Sequence, residues 1–99
     1  MFNRRISPDV TRFCLQNNFG NDLSNAISLA NSSFTGISGL TAELENDPET
    51  DEERIILHLN VSADFEDVVK SRKAFTRMWI DSVLPAVREK IVLLYHISN

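Results

Sequence analysis

The spacing of the apolar residues changes twice along this chain, and each change separates helix from strand. In residues 8–30 apolar side chains recur every three or four positions, which is typical of a helix with one buried face. From Gly39 they alternate with polar residues, as in a strand with one buried face. After Ser62 the helical spacing returns. This succession predicts an α+β fold.

The first third of the chain predicts two short helices. Ser7 is suited to cap the first, with Pro8 at the first helical position and Asp9 in the first turn. This helix should end before Gly20. A second helix is expected from about Asp22, because apolar residues again share one face: Leu23, Ala26, Ile27 and Ala30. Helices this short are stable only when packed against other elements.

The middle of the chain predicts a β-hairpin with an acidic tip. The apolar positions of its two alternating segments are Leu40, Ala42 and Leu44, then Ile55, Leu57, Leu59 and Val61. The stretch NDPETDE between them has the composition of a turn. Seven of the eleven side chains from Glu43 to Glu53 are acidic. We therefore expect two strands joined by a long, charged loop.

The last third predicts one long amphipathic helix, capped by Ser62, that packs on the hairpin. Its apolar stripe contains Phe65, Val68, Val69, Phe75, Trp79, Ile80 and Val83. Beyond Pro85 the same face continues with Ala86, Val87, Ile91, Leu93, Leu94 and Ile97. Because the stripe keeps its phase, we expect a helix that is kinked or restarted at Pro85, although an interior proline costs about 3 kcal/mol.

An alternative for the end of the chain is a third strand over residues 91–97. The segment IVLLYHI is rich in residues that favour strands, and a short apolar run fits either structure. Both interpretations stay open at this point. The total of 99 residues predicts a single globular domain, 1–99.

The length of the apolar stripe predicts a homodimer. A two-stranded ribbon is marginally stable alone. The stripe from Phe65 to Ile97 is longer than one small hairpin can cover. Either a third strand completes the sheet, or two chains associate, most simply about a two-fold axis.

Charge is unevenly distributed in this acidic protein, whose net charge is −4. Residues 41–67 hold ten carboxylates against Arg54, whereas residues 68–99 hold six basic side chains against Asp81 and Glu89. Nucleic-acid-binding domains normally concentrate positive charge on one surface. The overall acidity argues against nucleic acid as a partner.

Cys14 is the single cysteine, so no intrachain disulfide can form, which suits a reducing compartment. The start of the chain has no apolar run typical of a secretory signal. The longest apolar run, IVLLY, is far shorter than the roughly 20 residues that cross a bilayer. We therefore expect a cytoplasmic protein with no membrane association.

Two sets of residues are candidates for binding. The first is an acidic partner surface at the hairpin tip: Glu49, Asp51, Glu52 and Glu53. The alternative is a solvated tip whose charges discourage pairing between strand edges. The loop lacks the glycine and the final glutamate of a calcium-binding loop, so no metal site is expected there.

The second set comprises Arg72, Thr76, Trp79 and His96. Arg72 falls within the apolar stripe of the predicted helix, with Thr76 beside it. A buried guanidinium needs a partner. Arg72 would therefore form an internal ion pair, extend along the apolar surface with its charge in water, or bind an anionic ligand in a cleft.

No constellation in the sequence predicts catalysis. Cys14, His58 and His96 lack any nucleophile or zinc-binding signature, and there is no phosphate-binding glycine loop. No catalytic residue, metal or cofactor is expected. The leading hypothesis is a small non-catalytic interaction or regulatory protein that acts through protein–protein contacts. The alternative is a binding protein or enzyme for a small anionic ligand, with a cleft around Arg72.

Overall fold

A computed structural model describes residues 3 to 97 of the chain, and within that range it contains four strands and four helices. The elements in chain order are β1 (Asn3–Ile6), α1 (Pro8–Asn17), α2 (Gly20–Ser33), β2 (Ile37–Asn46), β3 (Glu53–Val61), α3 (Phe65–Ser82), α4 (Pro85–Lys90) and β4 (Ile91–Ile97). The predicted α+β class is confirmed.

The four strands form one sheet in which their spatial order equals their chain order. β2 and β3 are the antiparallel hairpin, with Leu40 opposite Leu59. β1 runs parallel to β2 at one edge, and β4 runs parallel to β3 at the other. Helices α1 and α2 connect β1 to β2, and helices α3 and α4 connect β3 to β4. The sheet is therefore mixed, with an antiparallel centre and parallel outer pairs.

All four helices contribute to one core on a single face of the sheet. The fully buried strand residues on that face are Leu40, Ala42, Ile55, Leu57, Leu59 and Val61. Three aromatic rings pack together there. The centroid of the Phe34 ring, at the end of α2, lies 6.4 Å from that of Phe75 on α3 and 6.3 Å from that of Tyr95 on β4. The opposite surface, which we call the open face, carries the alternate residues of each strand, including Thr41 and His58.

The order of elements differs from the prediction at the N-terminus, where strand β1 precedes the first helix. The four residues of β1, NRRI, show no alternation of apolar and polar side chains. Backbone hydrogen bonds to β2 hold them in the sheet. The pairing continues past β1, where the Ser7 N–H donates to the Ala42 carbonyl at 3.1 Å. Ser7 also caps α1, as the sequence predicts. Asn18, with φ of 63°, ends that helix.

The prediction of one long C-terminal helix was wrong, because α3 ends at Ser82 and the chain finishes as a strand. Pro85 lacks a backbone N–H and cannot continue a helix, so it starts the short α4 instead. Residues 91–97 then pair with β3 along their whole length, from Ile55 opposite Ile91 to Val61 opposite Ile97. Asp64, not Ser62, is the residue before the first turn of α3.

The apolar stripe of α3 is narrower than expected. Its buried residues are Val68, Phe75 and Trp79, whereas Phe65 is 66% exposed and Ile80 is 47% exposed. Beyond Lys90 the stripe is not helical, since Ile91 and its neighbours belong to the sheet, and only Ala86 and Val87 lie in the short α4. The argument for a homodimer from an uncovered helix therefore loses much of its basis. The homodimer itself stays a prediction.

Candidate functional site

A groove of about 380 Å³ lies between α3 and the last strand of the sheet, β4. Helix α3 contributes Arg72, Phe75, Thr76 and Trp79, helix α4 contributes Arg88, and β4 contributes Ile91 to Tyr95. β4 is the outermost strand, so its outer edge has no neighbour within residues 3–97. We call this feature the α3–β4 groove.

The groove combines an apolar floor with positive charge. The Phe75 and Trp79 rings stack in its wall, with centroids 6.1 Å apart and planes 20° apart. Two guanidinium groups line it, those of Arg72 and Arg88, and no carboxylate does. The Arg88 Nε atom is buried and has no hydrogen-bond partner among the described residues. Such a lining suits an anionic group attached to an apolar body.

Three of the four residues in the second predicted set meet in this groove: Arg72, Thr76 and Trp79. Arg72 is exposed and forms no ion pair within the described part of the chain. His96 is not part of this lining, because it points to the open face of the sheet. A second depression of about 430 Å³ along α3 shares Arg72 and Thr76 and adds Lys73, Arg77, Ile80 and Asp81. With three basic side chains against one carboxylate, the α3 side of the groove is basic on balance.

A second cluster lies on the open face, where three strands bring together Glu43, His58 and His96. His58 Nε2 is 2.6 Å from Glu43 Oε1, and His58 Nδ1 is 3.2 Å from His96 Nε2. The two rings are within 21° of parallel. Since the carboxylate accepts, Nε2 of His58 carries a proton, and in the neutral ring the Nδ1 lone pair faces His96. We call these three residues the histidine cluster.

No pattern in the sequence predicted the histidine cluster. The alternation around His58 places it on the outward face of its strand, but no local pattern joins it to Glu43 or to His96. The contact with His96 depends on the parallel register between β3 and β4, in which Asn60 faces His96. That register cannot be read from the sequence, because residues 91–97 fit both a helix and a strand.

The predicted acidic partner surface is exposed, with Glu49, Asp51 and Glu52 in the loop between β2 and β3 and Glu53 at the first position of β3. Two of its charges already have partners, since Glu52 lies 3.7 Å from Lys90 and the Asp51 carboxylate accepts from Asn46 at 3.4 Å. The turn is closed by Glu49 N–H, which donates to Asp47 Oδ1 at 2.9 Å. The acidic partner surface and its alternative, a solvated hairpin tip, both stay predictions.

An ion pair supports the base of this loop. The Arg54 guanidinium donates from two nitrogens to Glu45 Oε1, at 2.9 and 3.2 Å. The hydrogen bond that Arg54 donates to Glu45, and then the negative charge of Glu45, raise the pKa of Arg54. Across residues 3–97, no three His, Cys, Asp or Glu side chains gather into a metal-binding group.

Cys14 lies in the core on the helical side of the sheet, whereas His58 lies on the open face, so the fold separates the two side chains. Burial raises the pKa of the Cys14 thiol, and the nearby charge of Asp22 raises it further. Only the thiolate reacts quickly with electrophiles. Cys14 therefore has the environment of a structural residue.

Iodoacetamide should alkylate Cys14 in the native protein at least about tenfold more slowly than in the denatured chain at the same pH, because the thiol is buried and held protonated. Mass spectrometry of samples quenched over time, at pH 8 with and without denaturant, measures both rates. Equal rates would contradict the buried environment.

No protein family, curated protein or solved structure among those compared matches this chain. None of the helices in the described range 3–97 combines the length and apolar character needed to cross a membrane. The function therefore has to be inferred from the chemistry of the chain's own surfaces.

Proposed function

We propose that this protein is a small non-catalytic interaction module that binds an extended, acidic segment of a partner protein in the α3–β4 groove. The observation that carries the proposal is the unpaired outer edge of β4 beside a basic, apolar-floored groove. An extended peptide in that position adds a strand to the sheet and places its side chains against α3.

The composition of β4 supports strand addition. Natural proteins protect exposed sheet edges with charged residues, proline, bulges or short strands. β4 is seven residues long, pairs with β3 without a register shift and contains no charged residue or proline in the segment IVLLYHI. Leu94 is 45% exposed. An edge of this kind, left unprotected, is suited to pair with another chain.

The charge of the groove specifies the sign of the partner. Arg72 of α3 and Arg88 of α4 line it, and Lys73 and Arg77 lie near Arg72 on α3. A second copy of this chain placed on the same edge by a two-fold axis would bring identical arginines to one interface. Like charges across an interface are unfavourable, whereas carboxylates can pair with each guanidinium through two hydrogen bonds. An acidic partner fits better than a copy of the groove itself.

A fluorescein-labelled octapeptide that alternates glutamate and valine tests this proposal by fluorescence anisotropy. We expect Arg72→Glu and Arg88→Glu each to weaken binding at least about tenfold, because each variant replaces a charge-assisted hydrogen bond by repulsion. Arg12→Glu on α1 is the matched control, with the same change in net charge at an exposed site. An equal loss in the control would show that net charge alone drives binding.

Backbone methylation of the peptide separates strand addition from simple anion binding. Methyl groups on alternate amide nitrogens block the hydrogen bonds of a new strand without changing the peptide's charge. We expect the methylated peptide to lose binding, and light scattering of the free protein measures its oligomeric state. A dimeric free protein would instead point to the predicted homodimer at this edge.

A second function, binding of a small anionic ligand, is favoured by the buried and unpartnered Nε of Arg88 beside Arg72. It differs from the first in needing no strand hydrogen bonds. If the methylated peptide binds as well as the unmodified one, and inorganic phosphate competes with both, the groove is an anion site. The same arginine variants would then abolish phosphate binding.

A further inference from the structure

We propose that His58 and His96 bind a divalent transition-metal ion on the open face of the sheet, with Glu43 as the outer partner that orients His58. The site lies on the opposite side of the sheet from the α3–β4 groove's helix, and it does not depend on the peptide-binding proposal. Imidazole nitrogen suits Zn²⁺, Cu²⁺ and Ni²⁺, which defines the class of ion.

The spacing of the two imidazoles fits a shared ion. The nearest nitrogens, His58 Nδ1 and His96 Nε2, are 3.2 Å apart. Two nitrogens bound to one tetrahedral zinc, with bonds of roughly 2.0–2.1 Å, lie roughly 3.4 Å from each other. The ion would take the place of the proton that His96 Nε2 donates to His58 Nδ1, and that proton would move to Nδ1 of His96 through solvent. Each ring then turns about its last side-chain torsion, which is a soft coordinate for histidine.

Glu43 supplies the second element of such a site. Its Oε1 accepts from His58 Nε2 at 2.6 Å, so the protonated nitrogen of His58 faces the carboxylate and the unprotonated one faces His96. Histidine ligands of metals almost always donate their other N–H to a carboxylate, carbonyl or water in this way. The tautomer that a metal requires of His58 is therefore already selected.

The strands hold these side chains in place. Glu43, His58 and His96 come from β2, β3 and β4, three adjacent strands of one sheet. The His58 side chain is 25% exposed, and Glu43 is 57% exposed, so an ion can reach the pair from solvent. Because no three-residue metal group occurs in residues 3–97, the protein would supply two ligands. The remaining positions would hold water or a group from a bound molecule.

Titration of the wild-type protein with Zn²⁺ tests the site by calorimetry, and histidine ¹⁵N spectra identify the ligands. We expect one equivalent of Zn²⁺ to bind, with shifts at His58 Nδ1 and His96 Nε2. His58→Gln or His96→Gln should abolish that equivalent. Glu43→Gln should weaken binding roughly 10- to 100-fold, the usual effect of losing an outer partner.

Two matched controls decide the outcome. Glu45 lies on the same strand, two residues from Glu43, and pairs with Arg54 and not with a histidine. The variant Glu45→Gln should therefore leave Zn²⁺ binding unchanged. Cys14→Ser should also have no effect, because that thiol is in the core. The proposal is overturned if Zn²⁺ binds the His58→Gln variant as tightly as the wild-type protein. It is also overturned if adding Zn²⁺ to the wild-type protein shifts the ¹⁵N signals of neither histidine ring. Equal affinities for Glu43→Gln and Glu45→Gln would remove Glu43 from the site.

Discussion

Replacing Leu57 with alanine is expected to lower the free energy of unfolding by about 3 kcal/mol. Leu57 is fully buried in β3, one of the two central strands, and faces the helices across the sheet. Substitutions of this kind cost the burial of the lost methyl groups together with the cavity that remains, roughly 2–5 kcal/mol. Denaturation with urea, followed by circular dichroism, measures the difference.

The matched control for this prediction is Leu15→Ala. Leu15 is 81% exposed on α1, and alanine favours helix, so the same chemical change should alter stability by less than about 0.5 kcal/mol. If the two variants lose equal stability, the sheet face occupied by Leu57 is not the core of the fold.

Replacing Gly36 with alanine should cost about 3 kcal/mol for a different reason. Gly36 has φ of 74°, and a Cβ placed there would press against the carbonyl oxygen of Ser62. The two segments cannot separate freely, because Ser62 N–H donates to the Gly36 carbonyl at 2.8 Å. The left-handed backbone costs a non-glycine residue roughly 1–2 kcal/mol, and the steric overlap adds roughly 1–3 kcal/mol.

Gly20→Ala provides the comparison for this second effect. Gly20 starts α2, and nothing lies within 4 Å of a Cβ at that position. Alanine is the better helix former by up to about 1 kcal/mol, so the variant should be neutral or slightly more stable. Thermal unfolding of both glycine variants under one set of conditions tests the pair. A stable Gly36→Ala variant would mean that the turn before β2 adopts another conformation.

The parts of the fold that the sequence predicts are those specified by neighbouring residues. Ser7 and Pro8 define the start of α1 through the chemistry of a helix end, and the structure has the cap at that place. The hairpin follows from two alternating segments on either side of a polar turn, and Leu44 faces Ile55 across it. In each case the information lies within about ten residues, which is the range over which periodicity can be read.

The C-terminal segment could not be assigned in this way, because residues 91–97 fit both periods. The apolar face of the helical wheel passes through Ile91, Leu93 and Ile97, and these same residues alternate on a strand. Pairing with β3 decides between the two structures, and that pairing joins residues 36 positions apart, as from Ile55 to Ile91. Tertiary contacts override local preference here.

The candidate sites differ in the same way: one is specified by residues close in the sequence, and the other depends on the pairing of distant strands. Arg72, Thr76 and Trp79 are spaced four and three residues apart, so a helix places them on one side whatever it packs against, and they share the α3–β4 groove. His96, the fourth residue of that set, does not join them, because the strand β4 turns it to the open face. The partners Glu43 and His58 depend on register across three strands, which one sequence does not reveal.

The agreement between strand order and chain order has a consequence for synthesis. Each strand after the first finds its sheet neighbour already translated, so the sheet can be extended from one side to the other as the chain leaves the ribosome. β4 is the last of these four strands to be made, and it completes the shielding of β3. A ribosome that stalls before codon 91 would release a chain with a bare hairpin edge, a substrate for chaperones or proteases.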